Sequence, residues 1–187
     1  PLIKRMLQII IGDKNFSSWS MRPWLALKAS DLPFQEINVA LDRPDTSRNI
    51  KRHSPSGRVP VLNDGRIKIW DSLAICEYIH ELAPEKNLWP ADADDRALAR
   101  SYTAEMHSSF TGMRTQLSMD IQLRQKIAHL TPETIRDVQR VIELWRKALK
   151  RSGGPYLFGG FGIVDAFYAP VVMRFDSFCR SSATQAA

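Results

Sequence analysis

Three short stretches hold the side chains best suited to chemistry. The first is Asn15-Phe16-Ser17-Ser18-Trp19-Ser20-Met21-Arg22, lying between an expected strand and an expected helix. It sets hydroxyls at a helix N-terminus, where unpaired N–H groups and partial positive charge favour an anion. Ordinary N-capping by Ser18 or Ser20 is the structural alternative. The second is Ser54-Pro55-Ser56-Gly57-Arg58-Val59-Pro60-Val61-Leu62. A proline cannot donate a ladder hydrogen bond, so Val59-Pro60 ahead of Val61-Leu62 predicts a special turn, of which a cis peptide is one form. Such a turn leaves the N–H and C=O of Val59 free to pair with an extended, peptide-like ligand. The third is Asp71-Ser72 at the start of the next helix. Carboxylate, hydroxyl and backbone amides together suit an α-amino acid group; capping by either residue is again the alternative.

Other chemistries lack their residues. There is no Gly-x-Ser-x-Gly and no His-Glu-x-x-His. His53, His80, His107 and His129 are scattered, with no i, i+4 pair to face a metal. Gly153–Gly162 lacks the Lys-Ser/Thr of a phosphate loop and reads as a tight connection between helices. Cys76 and Cys179 are the only cysteines, which excludes a disulfide framework and a four-cysteine zinc site. Cys76 lies at apolar helical spacing and reads as core. No metal is expected.

The three stretches need elements to hold them. In the first half strands alternate with helices: Leu7–Ile11 as strand, Met21–Lys28 as helix with Pro23 in its first turn, and Phe34–Val39 as strand. Leu41–Ser56 is irregular, with one helical turn at most. Val59–Leu62 and Ile67–Trp70 flank Asn63-Asp64-Gly65, a strong hairpin signal, and Asp71–Leu82 is a helix. This order suits a small α/β domain with a mixed sheet, because the first two strands need a crossover and the last two form a hairpin. Ala83–Pro90 carries two prolines and reads as a linker. Beyond it every periodic segment is helical. Asp92–Met119 repeats Leu98, Tyr102, Met106 and Phe110. A second helix opens at Thr131-Pro132-Glu133 and ends at Gly153-Gly154-Pro155. A third, Val164–Phe175, is apolar nearly all round and therefore expected to be buried.

The chain has 187 residues, 44% hydrophobic and 25% charged, which is ordinary for a globular protein. It is long enough to bury roughly 70% of its unfolded surface without staples. No stretch approaches the ~20 apolar residues of a membrane helix, and the N-terminus does not read as a signal peptide. The net charge is +6; residues 1–90 and 91–187 each carry 13 basic and 10 acidic residues, so each half contributes +3. Nucleic-acid binders concentrate charge on one face or arm, so no nucleic-acid or membrane partner is expected. A mildly basic solvated surface and a basic mouth for small anions both remain. Two cysteines and no targeting segment suggest a reducing, cytoplasmic location.

The motifs together resemble a known family. Ser-Ser-Trp-Ser-Met-Arg-Pro-Trp-Leu-Ala-Leu, Gly-Arg-Val-Pro-Val-Leu and Trp-Asp-Ser-Leu-Ala-Ile-Cys-Glu-Tyr-Ile are similar to the N-terminal domain of glutathione S-transferases, with a serine turn of the zeta and theta-like kind. Phe158–Pro170 is similar to the family's buried helix with its Ser/Thr-x-x-Asp capping box. The resemblance spans residues 5–175. It implies a thioredoxin-like domain over 5–83, a linker over 84–91 and an all-helical domain over 92–187, assembled as a homodimer. It further implies glutathione as co-substrate. The cysteinyl backbone would pair with Val59 beside cis Pro60 and next to Arg58. The γ-glutamyl group would sit on Asp71 and Ser72, and the sulfur at the serine turn.

A hydroxyl at that turn has a physical purpose. Free thiols titrate near 8.5, and a hydroxyl donor at a helix N-terminus stabilises the thiolate. Ser17 is the first candidate and Ser18 the second, with Arg22 adding positive potential or simply solvated at the surface. The thiolate would attack a small hydrophobic electrophile, a detoxification chemistry. Met106, Phe110 and Met113 are expected to line the electrophile's pocket.

Three features depart from the family pattern. Trp19 stands where zeta-like and beta-like members often carry a cysteine, which argues against cysteine-dependent isomerisation or thiol exchange. Gly162 stands where the capping box has Ser or Thr. The polar stretch after Phe175 is shorter than the helix with which the family continues, so the tail is expected to be shortened. Two alternatives accompany the transferase: a non-catalytic binding or regulatory module on the same fold, and a glutathione-dependent isomerase.

Overall fold

The computed structural model describes residues 6–125, 127 and 129–179, with Cys179 by its backbone only. The start of the expected first domain at residue 5 and the tail residues 180–187 lie outside the described residues. The chain divides into two compact units between Trp89 and Pro90.

The first unit runs β1 (Leu7–Gly12), α1 (Ser18–Ser30), β2 (Phe34–Val39), α2 (Thr46–Lys51), β3 (Val61–Asn63), β4 (Lys68–Trp70) and α3 (Ser72–Leu82). The sheet order is β2-β1-β3-β4. β1 pairs parallel with β2, and antiparallel with β3, which pairs antiparallel with β4. This is the mixed sheet that the βαβ crossover and the hairpin require.

β1 is central and apolar on both faces, as a strand covered on both sides must be. Ile10 joins Val39, Val61 and Ile50 of α2 in one cluster. Ile9 and Ile11, pointing the other way by strand alternation, are buried too, as are Ala26 and Leu27 of α1 and Ile75, Cys76 and Ile79 of α3.

Local chemistry sets the boundaries. α1 begins three residues before the expected Met21, because Ser17 supplies its cap. β3 begins at Val61 rather than Val59, because Pro60 has no N–H for the ladder. The hairpin turn is held by Asp64, whose Oδ1 accepts the N–H of Arg66 and of Ile67, both at 2.9 Å. The segment expected as a linker holds a 3-10 turn at Pro84–Lys86. After it, Leu88 and Trp89 are buried, and the Trp89 indole donates to Glu77 at 3.0 Å.

The second unit holds α4 (Ala93–Ser108), α5 (Thr111–Gln116), α6 (Pro132–Ser152) and α7 (Ile163–Cys179). The single helical run expected over 92–119 breaks at Phe110, which adopts φ +65°. Thr131 caps α6 through the N–H of Thr134, and Gly153 ends it in the left-handed conformation that glycine favours. α7 carries one half of a capping box. Asp165 Oδ2 accepts the N–H of Gly162 at 2.9 Å, while its Oδ1 accepts that of Leu157 at 2.9 Å. Gly162 lends no side chain, so Asp165 ties the loop and helix start alone; burial pushes its carboxyl above the usual range. Among the described residues no helix is long and apolar enough to cross a membrane.

Candidate functional site

The sheet register brings the three chemical stretches to one end of the first unit. Val61 pairs with Ile10 on one side and with Trp70 on the other. β1 leaves this row toward Gly12 and the serine turn. β3 enters it from Val59-Pro60. β4 leaves it directly into Asp71-Ser72. Antiparallel pairing on both sides of β3 makes this convergence a consequence of topology.

The serine turn is tightly bonded. Ser17 N–H donates to Asp13 O at 2.8 Å, and Ser17 is the N-cap of α1, its Oγ accepting the N–H of Ser20 at 3.3 Å. The Ser17 hydroxyl donates to Ser20 Oγ at 2.8 Å, and Ser20 Oγ accepts the N–H of Gly12 at 3.0 Å. Capping therefore belongs to Ser17, not to Ser18 or Ser20, and Ser20 ties the helix back to β1. Ser18 opens the helix and is buried beside them. Arg22 is not solvated: it is 1% exposed, with its guanidinium 4.2 Å from the centroid of the Trp19 ring.

The Val59-Pro60 peptide bond is cis. Pro60 is buried and Val59 half-buried. Among the described residues, no hydrogen bond engages the main chain of Val59. Arg58 is exposed, its N–H held by Ser54 Oγ at 3.1 Å.

Asp71 caps α3, its Oδ1 accepting the N–H of Leu73 at 2.8 Å and of Ala74 at 3.4 Å. It does so with φ +74° and ψ 132°, a backbone region that L residues avoid at a cost of about 1–3 kcal/mol. Such conformations concentrate at ligand sites. Ser72 is 1% exposed, and its Oγ is buried with no hydrogen-bond partner among the described residues. A buried hydroxyl without a partner is costly, and a ligand's carboxylate or ammonium would satisfy it.

Two parts of the surroundings were not legible from the sequence. The first is the Trp19–Arg22 stack, whose only signal was the i, i+3 spacing. The second is a basic groove of about 550 Å³ lined by Pro44, Ser47, Arg48, Lys51 and Arg52. Evenly spread charge concealed it, because the cations gather only once α2 forms. Met106, Phe110 and Met113, expected at a substrate pocket, are 1%, 5% and 0% exposed and belong to the core of the helical unit. Cys76 is fully buried, and burial pushes its thiol far above the ordinary range, so it is inert. Among the described residues no three His, Cys, Asp or Glu side chains gather as a cation site would need.

A four-stranded mixed sheet with two helix N-termini and a cis-proline turn at one end, followed by a helical unit, defines a thioredoxin-like domain joined to an all-α domain. Residues 16–82 match the family model described as the glutathione S-transferase N-terminal domain. Maleylacetoacetate isomerase of Rattus norvegicus is 29% identical over 167 residues, covering 88% of this chain and 76% of that protein. Glutathione S-transferase 1 of Dianthus caryophyllus is 29% identical over 172 residues, covering 89% and 76%. A glutathione transferase homolog from Burkholderia, solved with bound glutathione, shares the fold at TM-score 0.68 and 22% identity, over 91% of this chain and 83% of that one. The first unit thus matches the N-terminal domain of glutathione S-transferases, and most of the chain is similar to proteins of that family.

Proposed function

We propose that the protein is an enzyme that binds glutathione and conjugates its thiolate to a small hydrophobic electrophile. The observation that carries this reading is the buried, unpartnered Ser72 hydroxyl at the end of the sheet where Val59 and the serine turn also lie. Glutathione is an extended peptide with an amino acid head, a thiol and a second carboxylate. Asp71 would hold the α-ammonium. Ser72 and the α3 N-terminus would hold the neighbouring carboxylate. Val59, flanked by Arg58 and Pro60, would pair with the cysteinyl main chain. The cations Arg48, Lys51 and Arg52 suit the remaining carboxylate.

The thiol then lies at the N-terminus of α1. Ser17, or failing it Ser18, would donate to the sulfur, and the helix end and Arg22 add positive potential. A charge-assisted hydrogen bond and a helix N-terminus readily move a thiol from about 8.5 toward neutrality. The thiolate attacks an electrophilic carbon, the sulfur–carbon bond forms, and the leaving group departs with its electron pair. Isothermal calorimetry with glutathione tests the reading; no binding overturns it.

A second reading is a glutathione-dependent isomerase, favoured by the likeness to rat maleylacetoacetate isomerase. Trp19 in place of a turn cysteine weighs against the cysteine-dependent form of that chemistry. A non-catalytic module would bind glutathione without turnover of any electrophile. Domain limits of 5–83 and 92–187, a homodimer and a cytoplasmic location belong to the same proposal. Sedimentation at micromolar concentration tests the dimer.

A further inference from the structure

Two exposed aromatic rings stand at the N-terminal end of α1, Phe16 just before it and Trp19 in its first turn. Phe16 is 51% exposed and Trp19 is 39% exposed, and they flank the buried pair Ser17 and Ser18. Exposed aromatic surface beside a polar site marks ligand contact. Side chains on a helix lean toward its N-terminus. A ring on the second helical residue therefore stands over the first turn, beside the position proposed for the sulfur. Trp19 is also fixed from behind. One turn on, the buried Arg22 guanidinium lies 4.2 Å from its ring centroid, while the indole keeps 39% of its surface exposed. A ring already held in place loses little rotamer freedom when a ligand stacks on it.

Resting on the glutathione reading, we propose that Trp19, backed by Arg22, is the wall that selects planar conjugated electrophiles over compact aliphatic ones. A flat ring or extended conjugated system covers the indole in an offset stack. A short alkyl halide gains nothing from that face. Trp19 is thus a specificity-determining residue, and Arg22 positions it.

The test compares kcat/KM for chlorodinitrobenzene with that for iodoethane in the wild type and in Trp19→Ala, Trp19→Leu and Trp19→Phe. The planar-to-compact ratio is expected to fall about tenfold in the alanine and leucine variants, the size of one aromatic stacking contact. The loss should appear in KM for the planar substrate, and the phenylalanine variant should largely restore it. Trp19→Leu keeps an apolar cover over Arg22 and carries the test if Trp19→Ala fails to fold. An unchanged ratio in all the variants, with glutathione still bound, overturns the role of Trp19 alone. Absence of glutathione binding by the wild type, read separately by calorimetry, overturns the underlying reading and this role with it.

Discussion

The Ser17 hydroxyl donates to Ser20 Oγ across 2.8 Å while its own oxygen caps α1. One side chain thus joins the helix start to the residue that binds the end of β1. Ser17→Ala is expected to lower stability by about 1 kcal/mol, the usual cost of a lost cap. If the same hydroxyl turns to glutathione's sulfur, the variant also raises the pKa of the bound thiol toward its free value. kcat/KM then falls tenfold to a few hundredfold, about 1.4–3 kcal/mol. Ser18→Ala, which leaves the cap in place, should change stability less. Ultraviolet absorbance of bound thiolate against pH separates the two effects. Wild-type titration in both variants would mean that neither serine activates the sulfur.

Asp71 and Ser72 should differ in what truncation does to stability, while both truncations weaken glutathione binding. Asp71→Ala removes the cap of α3 and the ligand contact proposed for it, so glutathione affinity is expected to fall by about 1.5–3 kcal/mol and stability to fall as well. Ser72→Ala removes a buried hydroxyl that has no hydrogen-bond partner among the described residues. The free protein should keep its melting temperature or gain slightly, while glutathione binding weakens. Calorimetry paired with thermal unfolding reads both quantities. A Ser72→Ala variant that loses stability but keeps affinity contradicts the assignment.

The strands themselves are legible along the sequence because their signals are local. Phe34–Val39 alternates and is bounded, and Asp64-Gly65 turns a hairpin. The candidate site was legible as three stretches, but their convergence depends on β3 pairing with both β1 and β4, which local patterns do not encode. The break at Phe110 was hidden because apolar spacing continues through it. The sequence leaves Arg22 open between adding potential at the turn and surface solvation, because charge favours exposure; only the tertiary fold buries it against Trp19.

Gly112 of α5 packs against the first turn of α6. A methyl group there would meet Glu133 Cγ at 2.6 Å and the Thr134 backbone nitrogen at 3.0 Å. The Glu133 chain can swing away, but the backbone at the capped start of α6 cannot. Gly112→Ala should therefore destabilise the protein by about 1–3 kcal/mol despite alanine's better helix propensity. Urea unfolding checks this. A neutral or stabilised variant would show that the two helices separate freely.

Asp64 supplies a pH dependence of known sign. Burial, the largest single influence, pushes its carboxyl up. The Tyr78 hydroxyl at 2.5 Å, the N–H groups of Ile67 and Arg66 and the Arg66 charge together outweigh it, holding the group at about 2. An unfolded aspartate titrates near 3.9. Between these values the unfolded chain binds the proton that the folded chain refuses. The contribution to stability is therefore fully present above about pH 4 and fades as pH falls toward 2, a loss of about 2 kcal/mol. Other carboxylates titrate in the same window, so the measurement is a difference. Asp64→Asn should be less stable than wild type at pH 7, and the gap should close as pH approaches 2. Tyr78→Phe, which removes one of the opposing hydrogen bonds, should show a smaller gap with the same sign. Parallel denaturation curves for wild type and Asp64→Asn from pH 7 to pH 2 would mean that the hairpin turn holds without its charge.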